Sequence, residues 1–303
     1  MARGADRDST DRGSTDRHST DRDSTDRDST DQAGAGPPVL VRAQSSGGIR
    51  TVTLDSPHNA NALSTALLTQ LRAALDDAMR DPGVRVVVLT GAGKVFCAGA
   101  DLKEALTNPS GATGLMSGVV QLLWDSSKPV ICRVNGAARA GGIGLVAASD
   151  IAIAAELATF AFSEVRIGVV PAVISVPCLR RMPSRAAAEY FLTGEVFDAR
   201  RATEIGLLTR AAPADDLDAE VARYAGMLLR GAPGALAGTK GVLRDVPASG
   251  VAAGLARMAD LSGQFFGSDE AREGMSAFAA KRDPAWAEPV TIGPAGTGSG
   301  QRD

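Results

Sequence analysis

Residues 129–148 constrain this chain more than any other stretch. Pro129-Val130-Ile131-Cys132-Arg133-Val134 is an apolar, β-rich run and reads as a strand. Asn135-Gly136-Ala137-Ala138-Arg139-Ala140-Gly141-Gly142-Ile143-Gly144 follows, and Leu145-Val146-Ala147-Ala148 leads out as a small-residue helix. A strand, a glycine turn and a helix start leave bare backbone N–H groups at a helix N-terminus. An anion, or an oxyanion developing during a reaction, can sit there. An earlier turn, Phe96-Cys97-Ala98-Gly99-Ala100-Asp101-Leu102-Lys103-Glu104, looks like its partner. Either turn alone is equally well read as a tight connection.

Composition narrows the classes. Hydrophobic residues make up 44% of the 303 and charged residues 22%, as in an ordinary globular protein. The formal net charge is −3 and no basic stripe stands out, which argues against nucleic acid as a partner. No apolar run reaches membrane-spanning length, so no membrane partner is expected. The N-terminus has no apolar core before a cleavage site and does not read as a secretory signal. Cys97, Cys132 and Cys178 are far apart in apolar runs and read as buried free thiols in a reducing cytoplasm. His18 and His58 are the only histidines, so a histidine triad or a zinc site is nearly excluded.

Taken in order, the chain opens with a five-residue unit, Asp6-Arg7-Asp8-Ser9-Thr10, repeated with small changes to Asp26-Arg27-Asp28-Ser29-Thr30. The unit has no apolar residue, so 1–37 is expected to be a disordered tail. Short strands are expected at 39–41 and 49–54 around a turn at Ser45-Ser46-Gly47-Gly48. Ser64 should cap a helix whose Leu67, Leu68, Leu71, Ala74, Leu75 and Met79 share one face. A buried strand at 84–90 follows, and Asp101 sits where a helix N-cap belongs. Residues 107–114 read as a glycine-rich, mobile segment before a helix ending near Trp124. Strands at 150–155 and 159–162 lead to a loop at 163–171 and helices at 174–181, 184–192 and 198–205. From residue 215 the pattern is helical only, at 215–230, 233–245, 249–266 and 268–281. The divisions are therefore 38–214 as a strand–helix core, 215–286 as a helical region and 287–303 as a loose tail.

At four stretches the sequence resembles the crotonase (enoyl-CoA hydratase/isomerase) superfamily. They are 57–63, ending Asn61-Ala62-Leu63; 96–104; 135–150, reading Asn-Gly-x-Ala-x-x-Gly-Gly to Asp150; and 265–282, with Phe278 and Lys281. Their order and separation match over about 38–286. Gly141-Gly142-Ile143-Gly144-Leu145 and Ser163-Glu164-Val165-Arg166-Ile167-Gly168 are most similar to bacterial 3-methylglutaconyl-CoA hydratase-type members.

The resemblance implies an α/β fold, a superhelix of ββα units with a C-terminal helical region that assembles trimers or a dimer of trimers. It implies an acyl-CoA thioester substrate, as in fatty acid metabolism, and no cofactor beyond the CoA carried by the substrate. It implies one oxyanion hole made of the N–H groups of Ala100 and Gly141. It puts the CoA near Ala60, Ala62, Ala98, Asp101, Leu102, Lys103 and Gly142, with Phe278 and Lys281 contributing from the same or a neighbouring subunit. Read from spacing alone, Phe278 is a core residue and Lys281 a helix-end charge.

Hydratases of that family use two glutamates. Here the first position is Gly144 and the second Glu164. A single carboxyl can still serve as the acid and base if burial among Phe160, Phe162 and Ile167 raises its pKa. Alternatively Glu164 pairs with Arg166 or Arg139. The expectation is an enoyl-CoA hydratase. The alternatives are a single-glutamate enoyl-CoA isomerase, an acyl-CoA decarboxylase, or a non-catalytic acyl-CoA-binding protein. Arg139, Arg166 and Lys103 are candidates to attract a second carboxylate on the substrate. The acyl pocket is expected around 106–123 and 169–174.

Overall fold

The computed structural model describes residues 38–108, 111–248 and 250–287, so the repeat tail and the last residues lie outside the described part. Strands β1 (Val41–Ser46) and β2 (Ile49–Leu54) pair antiparallel. Only Gly47 and Gly48 separate them, with φ of 53° and 75°, as a two-residue hairpin turn requires. The first strand therefore runs on through Ser45 and Ser46 rather than ending at 41. Helix α1 (Thr65–Arg80) is capped by Ser64, whose side chain accepts from the Leu67 N–H, and it buries Leu67, Leu68, Leu71, Leu75 and Ala78.

Next come β3 (Val86–Gly91), β4 (Val95–Cys97), α2 (Leu102–Thr107) and α3 (Gly111–Asp125). The expected glycine-rich loop is thus helical from Gly111. Met116, Val119, Val120 and Leu123 bury one face of α3, and that packing outweighs the poor propensity of its glycines. The chain continues through β5 (Val130–Val134), β6 (Ala137–Arg139), α4 (Gly141–Ala148), β7 (Ile151–Ala155), β8 (Thr159–Ala161), α5 (Ala172–Arg181) and α6 (Ser184–Thr193). It ends with β9 (Phe197–Asp198), α7 (Ala199–Glu204), β10 (Arg210–Ala212), α8 (Leu217–Leu229), α9 (Pro233–Asp245), α10 (Val251–Phe266) and α11 (Asp269–Ala279).

The strands form two sheets, one ordered β1-β2-β3-β5-β7-β10 and one ordered β4-β6-β8-β9. Consecutive strands alternate between them: β3 then β4, β5 then β6, β7 then β8. Each pair leads into helix, and like strands of successive pairs align in parallel. This is a spiral of ββα units, as the resemblance implies. One core lies around α1, α3 and α4, and includes Phe96, Phe160 and Phe162. A second joins Val86, Val88, Ile131 and Ile153 of the larger sheet to Leu217, Val221, Ala225 and Leu229 of α8. Asn61 is fully buried in the loop before α1. Its amide donates to the carbonyls of Ala92, Val95 and Phe96, and its Oδ1 accepts from the Ser56 N–H. One side chain thereby pairs with four backbone groups and fixes the 57–63 loop against β4.

Phe278 is 88% exposed on α11, so helical spacing misplaced it as a core residue. Cys97, Cys132 and Cys178 are all buried and free. No described helix is long and apolar enough to cross a membrane.

Candidate active site

The first turn is fixed from both sides. The Leu63 N–H donates to the Gly99 carbonyl, and the Asp101 N–H donates back to the Leu63 carbonyl. That pairing skips Ala100, so the Ala100 N–H takes no part in it. The Asp101 carboxylate accepts from the N–H groups of Lys103 and Glu104 and starts α2. Glu104 reaches back to the Thr65 N–H and hydroxyl at the start of α1. Asp101 and Glu104 thus clamp Ala100 between two helix N-termini.

The second turn arrives at α4 through Ala140, at φ 47° and ψ −119°, an unusual conformation for a residue with a side chain. The Ala140 N–H donates to the Ala161 carbonyl, which holds it there. Gly141 is then the first residue of α4, where an N–H has no intrahelical acceptor. The two turns abut. Gly99 has φ +91°, and a Cβ on it would lie 2.8 Å from the Ala140 Cβ. Ala100 and Gly141 therefore border one space, and Gly141 does so at the N-terminus of α4, where the helix dipole favours negative charge.

That space is a cavity of about 590 Å³. Ala98, Ala100, Ala140, Gly141 and Glu164 all line it. Glu164 comes from a short 3₁₀ turn, Ser163–Ile167, directly after Phe162. Phe162 lies tilted against Phe191 at 4.1 Å, and Tyr190 against Phe197 at 4.2 Å, centroid to centroid, so the turn rests on packed rings. The Glu164 Oε2 is buried without a hydrogen-bond partner. Burial raises its pKa above the ordinary carboxyl value, with a backbone hydrogen bond opposing. Its charge in turn pushes up the neighbouring Cys178 thiol, although burial dominates that shift. A buried carboxyl oxygen without a partner costs stability, and a carboxyl whose pKa is raised in a cleft is a candidate for acid–base work.

Comparison with known proteins shows the family. The model of the enoyl-CoA hydratase/isomerase family matches residues 44–289. The chain belongs to that family. It is 38% identical over 247 residues to a Thermus thermophilus protein that carries the enoyl-CoA hydratase name, covering 78% of this chain and 97% of that one. It is 33% identical to the 2,3-dehydroadipyl-CoA hydratase of Escherichia coli, covering 77% and 92%. A crystal structure of an enoyl-CoA hydratase from Shewanella pealeana superimposes with a TM-score of 0.78 at 33% identity, covering 82% and 96%. The chain is therefore an enzyme of the hydratase/isomerase family with the crotonase fold.

In this family member the cavity gathers Glu164, Ala100, Gly141, Ala98 and Leu102 from the residues singled out in the sequence. It does not gather the others. Ala60 and Ala62 lie in the loop behind, where the Ala60 carbonyl accepts from the Ala98 N–H. Asp101 is occupied as a cap, and Lys103 is exposed. Gly142 packs on Cys97, where a Cβ would meet the Cys97 Cβ at 2.8 Å. Phe278 and Lys281 sit on and after α11, outside the cavity lining. Glu164 pairs with neither arginine: Arg139 donates to the Thr159 and Ala138 carbonyls, and Arg166 to the Gly194 carbonyl. Phe160 and Phe162 are buried as expected, whereas Ile167 is 54% exposed.

Gly144 is a packing position. A Cβ there would lie 2.4 Å from the Ile174 Cγ2 and 3.2 Å from the Met116 Cε. Helices α4 and α5 cross so closely that Ile174 fills the place of any side chain at 144. Sequence reasoning placed Ile174 in the expected acyl pocket, and it does line the cavity. It quoted Asn61 and Glu104 within the family stretches but missed what their side chains hold: the carbonyls around β4 for Asn61 and the start of α1 for Glu104.

Proposed function

We propose that this enzyme adds water across the double bond of a 2-enoyl-CoA, with Glu164 as its acid and base. The N–H groups of Ala100 and Gly141 would hold the thioester oxygen. As the water oxygen bonds to C3, the π electrons move through C2 to that oxygen and form an enolate. The Glu164 carboxylate takes the water's proton, and the same carboxyl returns a proton to C2 as the enolate collapses. Each fixed donor of such a pair is worth roughly 3–4 kcal/mol of transition-state stabilisation. One observation carries the reading: a buried, unpartnered Glu164 oxygen in the cavity that Ala100 and Gly141 also line.

The crowding at Gly144 favours a second reading, transfer of a proton between C4 and C2 of a 3-enoyl-CoA. Among the described residues Glu164 is the only carboxyl lining the cavity, and isomerisation needs one carboxyl and no held water. The CoA itself is proposed to lie across residues 57–63 and 98–103, and neither reaction requires a further cofactor. Copies of the chain are proposed to meet through α9–α11, in a trimer or a dimer of trimers. The exposed Leu243, Val251, Leu255 and Phe266 support that assembly, in which the exposed Phe278, with Lys281, would serve another copy's CoA. The three buried free thiols are in keeping with a cytoplasmic setting.

The deciding experiment follows 2-enoyl- and 3-enoyl-CoA substrates by thioester absorbance and product mass, for wild type and Glu164→Gln. A product heavier by one water, absent with the variant, is expected. An unchanged mass with a migrated double bond would select isomerisation. Full turnover by the variant would remove Glu164 from either mechanism.

A further inference from the structure

The chemistry of the cavity wall goes further than its proton donor. Its buried part is Leu63, Leu68, Met116 and Ile174, exposed by 3%, 0%, 7% and 4%. Its open part is also apolar: Leu102, Ile167, Val169 and Val170 are exposed by 54%, 54%, 50% and 75% and still line the cavity. The polar side chains in the lining are Thr113, Ser163 and Glu164, and among the described residues the lining contains no lysine, arginine or histidine.

Three cations stand next to lining residues in sequence, and none enters the lining. Arg139 is committed to the Thr159 carbonyl and hydroxyl and to the Ala138 carbonyl, at 2.5, 2.8 and 3.0 Å. Arg166 donates to the Gly194 carbonyl at 3.1 Å. Lys103 is exposed on α2, where its neighbour Leu102 faces the cavity instead. An anionic group brought inside would lose its hydration and find no counter-charge. The one ionisable group it would meet, Glu164, carries the same sign.

We infer that the acyl group this enzyme accepts is a neutral aliphatic chain and that a second carboxylate on the acyl group excludes a substrate. The inference rests on reading this cavity as the acyl site. It sets aside the 3-methylglutaconyl type suggested by the two short motifs, because that acyl group ends in a carboxylate. The backbone turns that produce that likeness hold the thioester and say nothing of the far end of the acyl chain. Ile174 and Met116, which also close the space over Gly144, set the apolar character of the buried end.

The test is calorimetric and uses saturated thioesters, so that it does not depend on turnover. Butyryl-CoA is compared with succinyl-CoA, and hexanoyl-CoA with adipyl-CoA; each pair differs by a terminal methyl exchanged for carboxylate. The carboxylate should weaken binding about a hundredfold or more. Each methylene from butyryl to hexanoyl should tighten it about fourfold. Equal or tighter binding of the dicarboxylic thioesters would overturn the inference.

Val170→Arg places a cation on the exposed rim without disturbing the core. It should narrow the hexanoyl-to-adipyl ratio by about tenfold. An unchanged ratio would mean that the cavity wall is not the source of discrimination, and the inference would fall. The two proposals fail separately. Selective binding of neutral thioesters without turnover of any enoyl-CoA would remove the proposed reaction alone. Hydration of enoyl-CoAs with tight adipyl-CoA binding would remove the inference alone.

Discussion

Helices α4 and α10 are built from similar small and apolar residues and have opposite fates. The eight residues of α4 bury all but Gly141, and that one exception faces the cavity. The sixteen residues of α10 bury only Gly254. Val251, Leu255 and Phe266 on α10 are 81%, 68% and 69% exposed. The difference fits the work proposed for each. A backbone N–H can serve as an oxyanion donor only if its position is fixed to a fraction of an ångström, and the seven residues of α4 after Gly141 are all buried. Helix α10 offers a surface, and its residues are held by their own helix more than by packing. Similar composition thus gives a fixed scaffold in one region and an uncommitted face in the other.

The largest expected effect tests the pinned region by its chemistry. Glu164→Gln should lower kcat about a thousandfold while hexanoyl-CoA affinity stays within about threefold. A parallel loss of affinity would mean that the carboxyl holds the scaffold rather than moves a proton.

Truncation of one leucine in each region comes next. Leu71 is fully buried on α1 against the same core as α4, and Leu71→Ala should cost about 2–5 kcal/mol in urea unfolding. Leu255→Ala should cost under about 0.5 kcal/mol at concentrations where the chain is a single copy. A cost for Leu255 that grows with protein concentration would show copies covering that face.

Glycine substitution sharpens the contrast to a change of sign. Gly144→Ala drives a Cβ into Ile174 and should destabilise by about 1–3 kcal/mol. Gly263 on α10 has nothing within 4 Å of an added Cβ. Gly263→Ala should therefore stabilise by roughly 0.5–1 kcal/mol, through helix propensity alone. Thermal melts of the two variants suffice, and a shared sign would break the comparison.

What was legible in the sequence followed the same division. Both site turns were readable because their signals are local: a cap at Asp101, glycines at 99 and 141, and a strand before each. The hairpin at Gly47-Gly48 and the face of α1 were readable for the same reason. The role of the Asn61 side chain was not, because the carbonyls it satisfies belong to residues more than thirty positions away. Glu104 reaches 39 residues back to Thr65, and Ile174 meets Gly144 only because two helices cross. Phe278 shows the converse. Helical spacing tells which residues share a face, but the contact that would cover the face is not written in the helix. Residues such as Arg139 and Arg166 look available in sequence because backbone carbonyls, which are invisible there, occupy them in the fold.

The smallest effect separates the energetic roles of one residue. Glu164 has its pKa raised by burial, so the folded state favours its neutral form. Relative to the unfolded chain, that contribution is fully present below the ordinary carboxyl value of 4.5 and is lost as the pH rises through the raised folded value. Glutamine has the shape of the neutral acid and never ionises. Glu164→Gln should therefore match the wild type in stability near pH 4 and become the more stable of the two as the pH approaches about 8. Urea midpoints across that range, read for both proteins, give the difference directly. A difference that does not change with pH would mean that the Glu164 carboxylate is compensated in the fold. An increase with pH, alongside the loss of turnover, would show a scaffold that tolerates an unfavourable charge at the position where its reaction moves a proton.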